Sequence, residues 1–260
     1  MNKKTVFKVL RIVGIIICIG IIIFESIALY RDQKEYQVAG DEYDNLRDDA
    51  VSSTGAGDEK KDVDYPDLAV NFKKLEDINS DVVAWLYFPC LNISYPVVKE
   101  TEVDEYLYTT FDGQHNKSGC LFEDILSDEN FCGMHDIIFG HNMKDKSMFG
   151  SLKTLYQSGN EHLLDDNPYV YVYTKYNVYQ YKVFAYYITG IGSEAYSVVE
   201  NEEQYDEFVK YIKMRSAYSI PDDIDFAGHN SILTLSTCSG KAGSNRRFVV
   251  HCMKVSGWEQ

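Results

Sequence analysis

Ile232-Leu233-Thr234-Leu235-Ser236-Thr237-Cys238, with Arg247-Phe248-Val249-Val250 nine residues further on, decides how this chain reads. The first run is β-branched and aliphatic and is bounded by Ser239 and Gly240, so it reads as a strand that ends on a cysteine. Lys241 to Arg246 reads as a polar loop, and Arg247 opens a second apolar run, Phe248 to Met253. A thiol at the end of one strand and a guanidinium at the start of the next would lie side by side at one rim of a sheet. Cysteine is a strong nucleophile once ionised, and a nearby cation favours the thiolate. Arginine keeps its proton, so it donates hydrogen bonds and stabilises negative charge. That pair suits acyl transfer, in which an oxyanion forms on the attacked carbonyl. A general acid/base is still needed, and it must come from elsewhere in the chain.

Working outward, the 260 residues carry a formal charge of -15. Lys3, Lys4, Lys8 and Arg11 precede the first long apolar run, so the remainder is at about -19, which argues against a nucleic-acid partner because phosphate neutralisation needs Lys/Arg patches. The six cysteines form no C-x-x-C pair, so neither a zinc knuckle nor a thioredoxin-type motif is signalled. With Cys18 inside the apolar run, Cys90, Cys120, Cys132, Cys238 and Cys252 are an odd set. They read as mostly small buried side chains rather than a disulfide framework.

Ile12 to Phe24 contains no charge, and apolar character runs from Val9 to Leu29. As a helix that stretch spans roughly 30 Å, enough for a bilayer core, with Arg11 and Glu25 near its ends. The basic side is N-terminal, which places residues 1–8 in the cytoplasm, 9–29 in the membrane and the rest outside. Ser26-Ile27-Ala28 offers the rival reading of a cleaved signal peptide, but Glu25 and Leu29-Tyr30 fit a cleavage region poorly. Residues 30–67 read as a helical stalk and a polar linker. Leu29, Tyr36, Tyr43 and Ala50 recur every seven residues with Ala39 and Leu46 between them, a stripe better suited to packing on the domain than to dimerisation. Val51 to Asp67 has almost nothing apolar.

The globular part takes residues 68–260. Phe72, Leu75 and Ile78 predict a short helix stopping near Asn79. Short β-like runs follow at Val82 to Phe88, Ile93 to Val98, Gly119 to Phe122, Asp136 to Phe139, Tyr169 to Tyr173 and Val178 to Tyr187, then the two C-terminal runs. Eight short strands at this density predict a closed or nearly closed barrel or a sandwich. Helices are expected at Ser147 to Tyr156, with Ser147 as cap, and at Glu200 to Ala217, inserted before the cysteine strand. The strand tyrosines read as cross-strand packing rather than ligand contacts.

Six histidines compete for the acid/base role: His115, His135, His141, His162, His229 and His251. His141 follows the strand Ile137-Ile138-Phe139 and Gly140, where a strand leaves the sheet with backbone freedom. His251 lies mid-strand, where it packs or meets solvent. Cys238 has an arginine nearby that Cys90, Cys120 and Cys132 lack.

Thr234-Leu-Ser-Thr-Cys238 resembles the T-L-x-T-C signature of sortases, and Phe139-Gly-His-Asn-Met143 with Ser147-Met-Phe149 is similar to the histidine segment of class B sortases. Arg247-Phe-Val-Val250 matches the arginine that opens the family's final strand. Asp77 to Leu86 and Ile93-Ser-Tyr-Pro-Val97 resemble the class B domain start, and the helical insertion before the cysteine strand is also typical of that class. The resemblance runs from about Leu68 to Val255.

It implies an eight-stranded β-barrel on a membrane anchor in a Gram-positive bacterium. It also implies a cysteine transpeptidase with Cys238 as nucleophile, His141 as acid/base and Arg247 steadying substrate and oxyanion. The expected partners are secreted proteins carrying a C-terminal sorting motif, cleaved after threonine, and an amine of a cell-wall precursor; no metal or other cofactor is implied. The family's arginine stands directly before the aliphatic run, which implies Arg247, and strand alternation puts Arg246 and Arg247 on opposite faces, so only one of them reaches the thiol. Ser236 shares a face with Cys238 and either lines the groove or is a satisfied strand hydroxyl. Two other readings stand beside this one: a cell-wall cysteine peptidase or amidase that releases its product to water, and a tethered surface-binding domain without catalysis.

Overall fold

The computed structural model describes residues 3–52, 65–160, 162–240 and 243–260. Eight strands close into a barrel: β1 (Val82–Phe88), β2 (Ile93–Lys99), β3 (Leu121–Glu123), β4 (His135–Phe139), β5 (Tyr169–Tyr173), β6 (Asn177–Gly190), β7 (Ile232–Cys238) and β8 (Arg246–Glu259). Around the barrel the order is β8-β6-β5-β1-β2-β3-β4-β7, with β7 returning to β8. The β2–β3 and β4–β7 pairs are parallel and the others antiparallel. Closure leaves the barrel itself without an edge strand to template aggregation, which suits a sheet so rich in tyrosine and valine.

Alternation explains why the last strand reads as a continuous apolar run. Phe248, Val250 and Cys252 face the barrel core with Leu233 and Leu235. Val249 and Met253 face the other way, into a second core with Phe184 and Ile232. That outer core is covered by helix α3 (Glu202–Arg215), whose Tyr205, Phe208, Val209 and Ile212 are buried. Asn201 caps α3 by accepting from the Gln204 N–H at 3.0 Å. Each such large apolar side chain contributes about 1.5–3 kcal/mol on burial, enough to hold an inserted helix against the sheet.

Helix α1 runs unbroken over Lys3–Ala50. Its apolar residues from Ile12 to Leu29 face outward, whereas Ala39, Tyr43, Leu46 and Ala50 are buried against the barrel. The seven-residue stripe is therefore a packing face, as its spacing predicts, although Leu29 itself lies beyond it and is exposed. Tyr43 donates its hydroxyl to the Gly119 carbonyl at 2.6 Å and sets its ring edge-on to Tyr95 at 5.5 Å. Helix α2 (Phe72–Ile78), stopping at Asn79, lies beside it. Within the polar stretch that follows α1, Val51 and Ser52 pair with Val70 and Ala69, and Tyr65 rests on Trp258 at 4.9 Å. The run 53–64 lies outside the described residues.

Two expectations need correction. The helix expected from Ser147 to Tyr156 is a turn followed by a short 3-10 segment, Leu152–Tyr156. Ser147 does not cap it. Its N–H and hydroxyl both bond to Asp145, and Met148 sits in the left-handed region at φ 50, where an α-helix cannot start. Phe149, Leu152 and Leu155 are nonetheless buried, so the apolar spacing reported burial rather than an α-helix. Arg246, read as a loop charge, is the first residue of β8, paired with Gly190.

Candidate active site

The barrel's register assembles the site from three neighbouring strands. In the parallel pair β4–β7, Phe139 stands beside Ser236. Gly140 then donates its N–H to the Ser236 carbonyl at 3.1 Å, which carries the chain to His141 level with Cys238, two residues on in each strand. On the other side of β7, Arg247 is the ladder partner of Cys238. Histidine, just past the end of β4, cysteine at the end of β7 and arginine near the start of β8 thus come in lateral order at one mouth of the barrel. All three line a groove of about 560 Å³ together with Leu107, Tyr108 and Tyr196.

Cys238 is the exposed end of a strand whose other residues are buried, and it is a free thiol, as are the other five cysteines. Cys120 and Cys252 are buried; burial pushes the Cys120 thiol up to about 12 and holds the Cys252 thiol higher still, which leaves both inert at neutral pH.

His141 is half-buried, with Nε2 at 2.5 Å from the Leu107 carbonyl oxygen. A carbonyl only accepts, so Nε2 donates there, and Nδ1 is the basic nitrogen of the neutral ring. Burial lowers the imidazole pKa and the Leu107 contact partly restores it, so the ring is mainly neutral at pH 7. Tyr108 covers one side at 5.6 Å between ring centres. Gly140 is needed for this approach: a Cβ there would collide with Leu121 and with Phe149, the latter at 2.7 Å.

Arg247 is half-buried, and its Nη1 donates to the carbonyls of Ser244 and Arg246 at 3.1 and 3.2 Å, fixing the guanidinium against its own loop. Arg246 is exposed and lines a separate depression with Tyr156, Tyr187 and Arg215. Arg247 is therefore the arginine that shares the groove with Cys238.

Ser236 also lines the groove and is buried, with its hydroxyl 2.9 Å from that of Tyr196. The two readings of Ser236 thus coexist: it is both satisfied and at the site. The remaining histidines lie elsewhere. His162 bonds to Asp165 and His229 to Asp206, while His135 and His251 are buried. His115 is exposed near Tyr108. Leu107 and Tyr196 escaped the sequence reading. A backbone carbonyl carries no residue signature, and Tyr196 ends a three-residue 3-10 segment, Glu194–Tyr196, too short to leave a periodic pattern.

The sortase domain family matches residues 86–255. Sortase B of Staphylococcus aureus (strain NCTC 8325 / PS 47) is 27% identical over 185 residues, covering 71% of this chain and 74% of that protein. The crystal structure of sortase B from Bacillus anthracis in complex with AAEK1 superposes with a TM-score of 0.68 at 27% identity, covering 86% of this chain and 99% of that one. A Staphylococcus aureus sortase B–substrate complex gives 0.64 at 26% identity, over 72% and 85% of the two chains. The chain belongs to the sortase family, in its class B branch, with the eight-stranded barrel and the helical insertion expected of it. It is accordingly a sortase-type transpeptidase.

Proposed function

We propose that Cys238, His141 and Arg247 carry out the transpeptidation, joining a sorting-motif protein to a cell-wall amine. The observation that carries this reading is that Cys238 and Arg247, cross-strand partners, and His141, just past the end of the neighbouring strand, line one open groove. Neutral His141 takes the Cys238 proton on Nδ1, and the thiolate attacks the carbonyl of a threonine in the bound peptide. Arg247 stabilises the oxyanion that forms. Collapse of the tetrahedral adduct breaks the C–N bond, the imidazolium gives its proton to the departing amine, and a thioester remains on Cys238. An acceptor amine then attacks the thioester, loses its proton to His141 and leaves joined to the threonine carbonyl, which restores the thiol.

The relatives support both partners. One sortase B neighbour is described with a substrate and another in complex with triglycine, an amine-bearing peptide. The exposed apolar face of α1 from Ile12 to Leu29 supports a membrane anchor, with the basic N-terminus in the cytoplasm and the barrel outside. Incubating the protein with a threonine-containing sorting peptide, with and without an amine acceptor, tests the function by mass. A thioester on Cys238 and a ligated product are expected. Release of free acid alone, even at saturating amine, would favour the peptidase reading, and no adduct with any such peptide would sink both.

A further inference from the structure

Behind one wall of the groove, buried polar groups from four strands form a continuous chain. The Tyr187 hydroxyl lies 3.0 Å from His251 Nε2, His251 Nδ1 lies 2.8 Å from Thr234 Oγ1, and Thr234 Oγ1 lies 2.7 Å from His135 Nε2. His135 Nδ1 lies 2.8 Å from the Ser197 carbonyl oxygen. That last contact assigns every proton. The carbonyl can only accept, so Nδ1 of His135 carries hydrogen and its Nε2 accepts from the Thr234 hydroxyl. Thr234 in turn accepts from His251 Nδ1–H, and His251 Nε2 accepts from Tyr187. All the hydrogen bonds are made at once when both rings are neutral, and a proton on either ring would turn a hydroxyl O–H out of the chain. Burial agrees with this, pushing His135 down to about 4 and His251 well below its ordinary value.

The chain ends where it touches the site. Ser197 directly follows Tyr196, whose hydroxyl meets Ser236 and whose ring stacks on Phe139 at 6.0 Å. The segment has left β6 at Gly190 and has not yet entered α3 at Glu202, so no strand ladder holds it. From the outer core, Phe208 of α3 packs against the His135 ring at 4.3 Å.

We propose that His135 is a positioning residue for the groove. Its Nδ1–H holds the Ser197 carbonyl, and through it the Tyr196 wall, so the buried chain sets how firmly the acyl-donor peptide is held and leaves the thiol chemistry alone. This rests on the groove being the peptide site, as argued above.

Two conservative variants separate positioning from bulk stability. In His135→Asn the amide nitrogen falls where Nδ1 was and keeps the Ser197 bond. In His135→Gln the longer side chain reaches towards Thr234 and gives up Ser197. We expect His135→Gln to raise KM for the sorting peptide about fivefold, the weight of one neutral hydrogen bond, with kcat within about twofold of wild type. His135→Asn keeps KM near wild type. Independently of activity, amide hydrogen exchange over residues 194–199 should quicken in His135→Gln and stay unchanged in His135→Asn. Equal KM values and equal exchange in the two variants would overturn the proposal, whatever their melting temperatures. If the wild type cleaves no sorting peptide, the function reading falls and the exchange contrast alone decides whether the tether exists.

Discussion

Arg247 stands across the β-ladder from Cys238, while Arg246, one residue earlier, opens onto a different depression beside Arg215. The two guanidiniums are chemically alike, and only the pleat separates them. Replacing Arg247 by alanine should lower kcat/KM for sorting-peptide cleavage by about 10²–10³, the effect of losing one oxyanion donor. Arg246→Ala should stay within about twofold. A reversed ranking in steady-state kinetics would mean that the wrong face has been assigned to the substrate.

His141 reports through pH. Its pKa lies below the ordinary imidazole value because burial disfavours the cation. The neutral ring is the form that takes the thiol proton, so activity is lost as pH falls through the His141 pKa. The acid limb of kcat/KM should therefore have its midpoint below 6.5, and His141→Ala should lower kcat/KM by about 10²–10⁴. An acid limb centred well above 6.5 would contradict the burial argument.

Gly140 is a packing requirement of the site. A methyl group there meets Leu121 and Phe149, both fully buried. Gly140→Ala should destabilise the domain by about 1–3 kcal/mol in denaturant titration and reduce activity by shifting His141.

Glu123 gives a stability signature away from the site. It is fully buried, and burial raises its carboxyl to about 8 despite Lys99 at 3.4 Å, whose ammonium also donates to the carbonyls of Asp124 and Ser127. The folded pKa exceeds the unfolded value, so the associated stability is complete below about 4.3 and is lost as pH rises towards 8. Glu123→Gln removes that dependence. Its melting temperature should exceed that of wild type at pH 8 and approach it at pH 5. A difference that grows towards acid pH would show that Glu123 is ionised in the folded protein.

Much of this was legible in the chain because the relevant periodicities are short. The strand before Cys238, the helix before Asn79 and the stripe Tyr36, Ala39, Tyr43, Leu46 each follow from repeats of two, or of three to four, residues. The same periodicity misled at Ser147 to Tyr156, where Phe149, Leu152 and Leu155 are buried without an α-helix. Apolar spacing reports which side chains are covered, and the backbone there is set by Asp145, Ser147 and a left-handed Met148. The roles given to Cys238, His141 and Arg247 rested partly on residue chemistry and partly on resemblance.

What the sequence determined by itself is the chemistry at hand and the face each strand residue occupies: a strand-end thiol, an arginine of chosen parity and a histidine after a glycine. What only the tertiary structure decided is their convergence. The parallel β4–β7 register brings His141 beside a cysteine 97 positions further along the chain. The Leu107 carbonyl and the Ser197 carbonyl, which orient His141 and His135, belong to loops placed by barrel closure. Backbone acceptors are the same at every residue, so no pattern of side chains announces which of them a buried imidazole will find.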